Sequence, residues 1–339
     1  MKYDAFVYGA VLTKDETCIL SWSNDLRKRW RGRASCSNRS DNAERIGMDA
    51  LARITIRNLL YTVLSFPLEV RADPWRRSYS LGLSVVKYFL GEEWIEQHLQ
   101  PMDGATGFLQ PDLTADDREI QYFRTIDLGE LLFNLQNIEG FDGCVARLKS
   151  GDIEPTLAEL DVARMLYIND QRFWFVERQG KVGSDFDFRV IFPGGIVGCI
   201  EAKCNMETEE FNPITIRNAL QKARTQLPEN EPGIIFVKLP SQWVTALEFA
   251  HQTTEIANAF LRGTGRVVSV KYYVAHFLYS GGTLGQGHVF KEITNPKHRF
   301  DNSRNWDLLT NWIPPVGVWN TMRRKYTRLV FFPDLEPPQ

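Results

Sequence analysis

Long apolar runs are missing from this sequence. A membrane-crossing helix requires ~18 apolar residues, and the stretch RVVSVKYYVAHFLY is interrupted by Lys271 and His276. The five cysteines (Cys18, Cys36, Cys144, Cys199 and Cys204) contain no C-x-x-C pair, and their number is odd. That argues against a disulfide framework and a structural zinc site, and it fits free thiols in a reducing compartment. His276, His288 and His298 lack zinc-ligand spacing, and no Ser/His/Asp arrangement can be assembled. The glycine-rich loop GGTLGQG (281–287) leads into His288 rather than Gly-Lys-Ser/Thr, so it is not a phosphate-cradling Walker loop. The N-terminus carries Asp4 within its first apolar run and has no basic start followed by an unbroken apolar core, so it does not read as a signal peptide. No internal repeat is seen. A cytoplasmic protein is expected.

The chain does have the make-up of a folded globular protein. Its 339 residues are 43% hydrophobic and 24% charged, enough for two or three packed units. The net charge of −2 conceals a segregation along the chain. Residues 1–90 carry 15 Lys/Arg against 9 Asp/Glu, residues 91–240 carry 14 against 26, and residues 241–339 carry 11 against 7. Basic ends around an acidic middle suit a protein whose outer parts meet a polyanion while its centre holds cations.

The organisation changes after residue 150. Two short strands joined by Thr13–Thr17 are expected to residue 23, and then an exposed basic loop. A helix capped by Asp41 with Glu44 three residues on should run to Pro67, and SLGLSVVKYFLGEEWIEQHL should form another that ends before Pro101. Residues 101–118, rich in Gly, Pro and Asp, read as a loop. Helices follow in DLGELLFNLQNI and FDGCVARLKSG. From Gly151 the expected order is helix (Thr156–Tyr167), strands (Phe173–Arg178, Phe186–Phe192 and Val197–Cys204), helix (Ile214–Leu227) and strand (Gly233–Leu239). A helix near Ser241–Leu261 and a strand in RVVSVKYYVAHFLY complete it. The expected class is α/β, a mixed sheet flanked by helices (residues 151–339) preceded by a mostly helical region (residues 1–150).

The chemistry gathers in GSDFDFRVIFPGGIVGCIEAKCN (183–205). Side chains alternate across a strand, so Asp185, Asp187 and Arg189 share one face of the first arm, and Cys199, Glu201 and Lys203 share one face of the second. A hairpin turning at Pro193–Ile196, with paired residue numbers summing to 388, sets Asp187 opposite Glu201 and Asp185 opposite Lys203. A slip of one residue would undo this facing. Two carboxylates so placed can hold a hard divalent cation, since Mg²⁺ takes oxygen ligands and keeps waters and a substrate phosphate. A lysine two residues past the acid can activate an attacking water or neutralise charge building on phosphorus.

Asp185 or Asp187 followed by Glu201-Ala202-Lys203 resembles the Asp…Glu-x-Lys signature of the PD-(D/E)xK phosphodiesterases, which have the restriction-endonuclease-like fold. The spacing of 16 or 14 residues fits, as does the order of elements over residues 150–240. The proline that often precedes the family's aspartate is Ser184 or Phe186 here, and the choice of aspartate stays open. The resemblance implies a metal-dependent nuclease acting on nucleic acid, DNA rather than RNA, with Mg²⁺ or Mn²⁺ on Asp185 or Asp187 and Glu201. Lys203 would act on the water. It also implies a glutamate on the preceding helix, for which Glu159 is the candidate; Glu159 equally completes a capping box with Thr156. Defence against foreign DNA or repair would be the setting.

The cluster Arg27, Lys28, Arg29, Trp30, Arg31 and Arg33 pairs cations with an aromatic ring, a combination suited to phosphate contact and base stacking. Arg323, Arg324, Lys325 and Arg328 repeat that theme. The N-terminal region would hold nucleic acid, a protein partner or a second copy of the chain, and no membrane is expected. The rival readings are a catalytically inactive module on the same fold that binds nucleic acid or protein, and an assembly protein.

Overall fold

The computed structural model describes residues 6–11, 53–99, 108–109, 115–178, 180–245, 249–280, 283–301, 306–309 and 326–329. Strand β1 (Phe6–Val11) precedes helices α1 (Ile56–Ser65), α2 (Leu68–Ala72), α3 (Pro74–Leu90), α4 (Glu92–His98), α5 (Ala115–Leu135), α6 (Phe141–Lys149) and α7 (Ile153–Ile168). Then come β2 (Arg172–Phe175), β3 (Phe188–Phe192), β4 (Ile196–Cys204), α8 (Pro213–Gln226) and β5 (Gly233–Lys238). A 3₁₀ turn (Ser241–Thr245), α9 (Phe249–Arg262), β6 (Val267–Ser280) and β7 (Thr283–Thr294) follow. Strands β2 to β7 make a mixed open sheet, and β1 adds a seventh strand at its edge, in the order β1-β7-β6-β5-β4-β3-β2. The β4–β5 and β5–β6 pairs are parallel and the others antiparallel. The mixed α/β class expected from the sequence is the one found.

Alternation decides which face of each strand is buried against which helices. Phe173, Phe175, Phe188, Val190, Phe192, Ile200, Ile234 and Phe236 join one cluster with Leu59, Phe89, Leu131, Phe141 and Leu160 of the preceding helices. Cys199, Ile235, Val237, Val270 and Tyr272 face the other way and pack with Ile216 and Leu220 of α8 and Ile256 and Phe260 of α9. Removing one such apolar side chain from water contributes roughly 2 kcal/mol. The sheet is thereby covered on both faces, and its interior can shield charge from water.

Several element boundaries differ from the sequence expectations. The segment 80–99 holds two helices because Gly91, at φ 97°, ends α3 while its amide still donates to the Lys87 carbonyl. Helix α1 is capped by Thr55, whose side chain and Asn58 form a reciprocal box; the Asp41–Glu44 cap lies outside the described residues, as do the Thr13–Thr17 turn and most of the 101–118 loop. The expected loop GGTLGQG belongs largely to β7, which pairs with β6 and β1. Cys144, Cys199 and Cys204 are free thiols, as expected; Cys18 and Cys36 lie outside the described residues.

Candidate active site

The β3–β4 hairpin turns through Phe192-Pro193-Gly194-Gly195, closed by the Gly195 amide on the Phe192 carbonyl (3.0 Å). Proline at the second position and Gly194 with φ 84° at the third suit a turn that only glycine accepts there without strain. Pairing runs from Phe192–Ile196 to Phe188–Ile200, the register sum of 388 deduced from alternation. At Phe188 the ladder stops. The Asp187 amide donates to the Ile200 carbonyl (3.1 Å), so Asp187 and Phe188 both lie against one residue of β4, as at a β-bulge. Asp187 is buried, and its Oδ2 accepts the Ala202 amide at 2.7 Å.

Asp185 falls two residues beyond the bulge and does not stand across from Lys203. Its carboxylate accepts the Gly180 amide (3.0 Å) and its carbonyl accepts Gln226 Nε2 (3.0 Å). Glu201 and Lys203 leave β4 on one side, and the Lys203 ammonium is bonded to Glu201 Oε1 and to the Gln226 side-chain carbonyl of α8. Glu159 arrives from α7. Because α7 begins at Ile153, Thr156 lies inside the helix and the proposed capping box does not form. Glu159 instead pairs with Arg147 of α6 and, at 2.6 Å, with Arg178. Arg178 also reaches Asp187 Oδ1 at 3.4 Å, so one guanidinium links two of the candidate acids.

Three carboxylates (Glu159, Asp187 and Glu201) thus meet three cations (Arg147, Arg178 and Lys203). Burial, and then the neighbouring Asp187, push Glu159 up to about 8. The same two causes hold Glu201 well above the usual carboxylate range, with Lys203 drawing it back. Glu201 is 1% exposed at its side chain, and its Oε2 is buried with no hydrogen-bond partner. An orphan acceptor of this kind carries a desolvation penalty that a bound cation or donor would relieve. Among the described residues no group of three His, Cys, Asp or Glu stands ready as a metal cage. Such a cage is not required for Mg²⁺, which is held by one or two carboxylates together with waters and substrate oxygens.

Arg147, Arg178 and Gln226 were not singled out from the sequence. The two arginines, 12 and 19 residues from Glu159, gave no local signal. Asp161 pairs with Arg164 and is half-buried, because α5 packs alongside and adds Asp127. Arg328, expected in a basic surface cluster, is turned inward onto Glu130 at 2.7 Å. Arg27, Lys28, Arg29, Trp30, Arg31 and Arg33 lie outside the described residues, as do Arg323, Arg324 and Lys325. No helix among the described residues is long and apolar enough to cross a membrane. Comparison with protein-family models, with curated proteins and with solved structures finds no match for this chain.

Proposed function

We propose that the protein is a divalent-metal-dependent nuclease of the PD-(D/E)xK type that hydrolyses phosphodiester bonds of DNA through Asp187, Glu201 and Lys203. The observation that carries this reading is the buried, unpartnered Oε2 of Glu201, beside the Asp187 carboxyl, whose charge adds to burial in raising the pKa of Glu201. Anionic side chains gathered out of water with an acceptor left over make a cation seat. The order helix, three strands, helix, strand from α7 to β5 supports the restriction-endonuclease-like core.

Asp187 and Glu201 would hold Mg²⁺ or Mn²⁺, which when bound lowers the pKa of water and polarises phosphoryl oxygens. Lys203, fixed between Glu201 and Gln226, presents an ammonium within reach of the attacking water and of charge developing on the phosphorus. Gln226 thereby sets the angle of Lys203. Glu159 acts through Arg147 and Arg178, which it positions, rather than on the phosphate itself. In hydrolysis the water oxygen bonds to phosphorus, its proton leaves to a base, and the departing alkoxide is protonated. The assignment is tested with plasmid, linear and single-stranded DNA plus Mg²⁺ or Mn²⁺. Lys203→Ala and Glu201→Ala should each lower the cleavage rate by on the order of 10³-fold, and cleavage surviving in both would overturn it.

A second reading, an inactive module of the same fold that binds DNA or a protein, is favoured by one observation: Arg178 already bridges Glu159 and Asp187. Retarded but uncut DNA, with no heat of Mn²⁺ binding by calorimetry, would choose that reading.

A further inference from the structure

Helix α8 carries the site's Gln226 at its C-terminal end, and the face it shows to solvent has a one-sided composition. From Pro213 to Pro228 the sequence PITIRNALQKARTQLP holds Arg217, Lys222 and Arg224 and no Asp or Glu. The buried stripe is Ile216, Leu220 and Ala223, which fixes the opposite side outward. Stepping back from Gln226 by four residues, the spacing that stacks side chains on one helix face, gives Lys222 and then Asn218, both exposed. The adjacent column is Thr225, Gln221 and Arg217, also exposed. Every one of these side chains can donate a hydrogen bond, and neither Arg217 nor Lys222 enters an ion pair among the described residues.

The row leads somewhere at each end. At one end Gln226 holds the Lys203 ammonium. At the other, Arg217 opens on a groove of about 890 Å³ between α8 and α9. Arg262 and His251 of α9 also line that groove, and its acid, Glu255, lies against His251 at 3.6 Å. Nine residues separate Arg217 from Gln226, so the row extends roughly 13 Å along the helix axis. A surface of donors and cations whose one groove-lining carboxylate, Glu255, lies against His251, and which ends at a candidate phosphodiesterase lysine, complements a chain of phosphates.

We infer that the exposed face of α8, from Lys222 to Arg217 and on to Arg262, is a track that grips the phosphodiester backbone of the nucleic acid flanking the bond held at Lys203. The identity of the polyanion rests on the nuclease reading; the track itself rests on composition and placement. These contacts go to backbone phosphate and carry no base readout, so the track binds without regard to sequence.

The test is fluorescence anisotropy of a labelled DNA duplex with the full-length protein in Ca²⁺, titrated with NaCl. Arg217→Ala/Lys222→Ala should bind on the order of tenfold more weakly at low salt, and the slope of log affinity against log salt should become shallower by about 1.8, two phosphate contacts at ~0.9 each. A control pair of equally exposed cations elsewhere, Arg172→Ala/Lys297→Ala, should bind like the parent. A double variant with the parent's slope, or a control pair with the same loss, overturns the track even where cleavage is intact. A parent with no salt-dependent binding but with cleavage that needs Lys203 overturns the track and leaves the nuclease reading standing. The expected change of slope in a protein that never cuts establishes the track and removes the nuclease reading.

Discussion

Asp127, Glu130, Asp161, Arg164 and Arg328 form one buried network of carboxylates and guanidiniums; Glu159, Asp187, Glu201, Arg147, Arg178 and Lys203 form another. Both draw on α7, where Glu159 and Asp161 lie two residues and therefore about 200° apart around the helix. In the first network Arg164 is held between Asp127 and Asp161, and Glu130 takes the Leu329 amide at 2.7 Å on one oxygen and Arg328 at 2.7 Å on the other. Each acid there meets a positive group, and Asp161 is pushed up only to about 6, chiefly by burial, with Arg164 opposing. In the second network Glu201 keeps one oxygen unmatched, and Arg178, which closes the set, is 43% exposed at its side chain. Burial and charge are thus common to both networks. What differs is that Glu130 Oε2 has a guanidinium at 2.7 Å while Glu201 Oε2 has no hydrogen-bond partner, and that the arginine closing the second network is far more exposed than Arg164 or Arg328.

The largest expected effect tests the structural side of this contrast. Arg164→Ala leaves Asp127 and Asp161 without their shared cation and should destabilise the fold by about 3–5 kcal/mol, read as a lowered denaturant midpoint. A loss below ~1 kcal/mol would show the network to be screened like a surface pair. A smaller effect of opposite sense is expected in the other network. Arg178→Ala takes away the guanidinium that competes for Glu159 and Asp187, so Mn²⁺ should bind roughly tenfold more tightly by calorimetry, about 1.4 kcal/mol. Weaker binding in Arg178→Ala would mean that the arginine organises the acids rather than blocking them.

The hairpin was legible because two local signals agree: a Pro-Gly-Gly turn and a strict period of two on both arms. Together they yielded the register and the facing of Glu201 with Lys203. Which of Asp185 and Asp187 comes to lie beside Glu201 was not legible. It turns on a bulge at Asp187, which depends on how the residues before β3 meet both β4 and the end of β2, and the alternation rule assumes no such break. Strand β7 was hidden for a related reason. Glycine is depleted in strands, so GGTLGQG reads as a loop, and only pairing with β6 and β1 overrides that preference. Arg147 and Arg178 had no sequence signal because their partners are fixed by the docking of α6 and the tail of β2 on α7. Glu159 could be named, but its duty could not, since a helix start three residues earlier decides whether Thr156 caps or lies within.

The remaining effect concerns the protonation of Glu159, and it separates a site held ready for a cation from one that is permanently neutralised by arginine. In the folded chain burial and Asp187 push this carboxyl up to about 8, against an ordinary value of 4.5 when unfolded. Between those values the folded state keeps a proton that the unfolded state has released, so the unfolded state binds fewer protons and stability must fall as pH rises. The slope is at most about 1.4 kcal/mol per pH unit for one proton. Glu159→Gln has no such proton. Whatever its absolute stability after losing a charge partner for Arg147 and Arg178, its urea midpoint should therefore drop less than the parent's between about pH 5 and pH 8. Parallel curves would show Glu159 ionised throughout, a fixed counterion to two arginines, and the second network would then resemble the first.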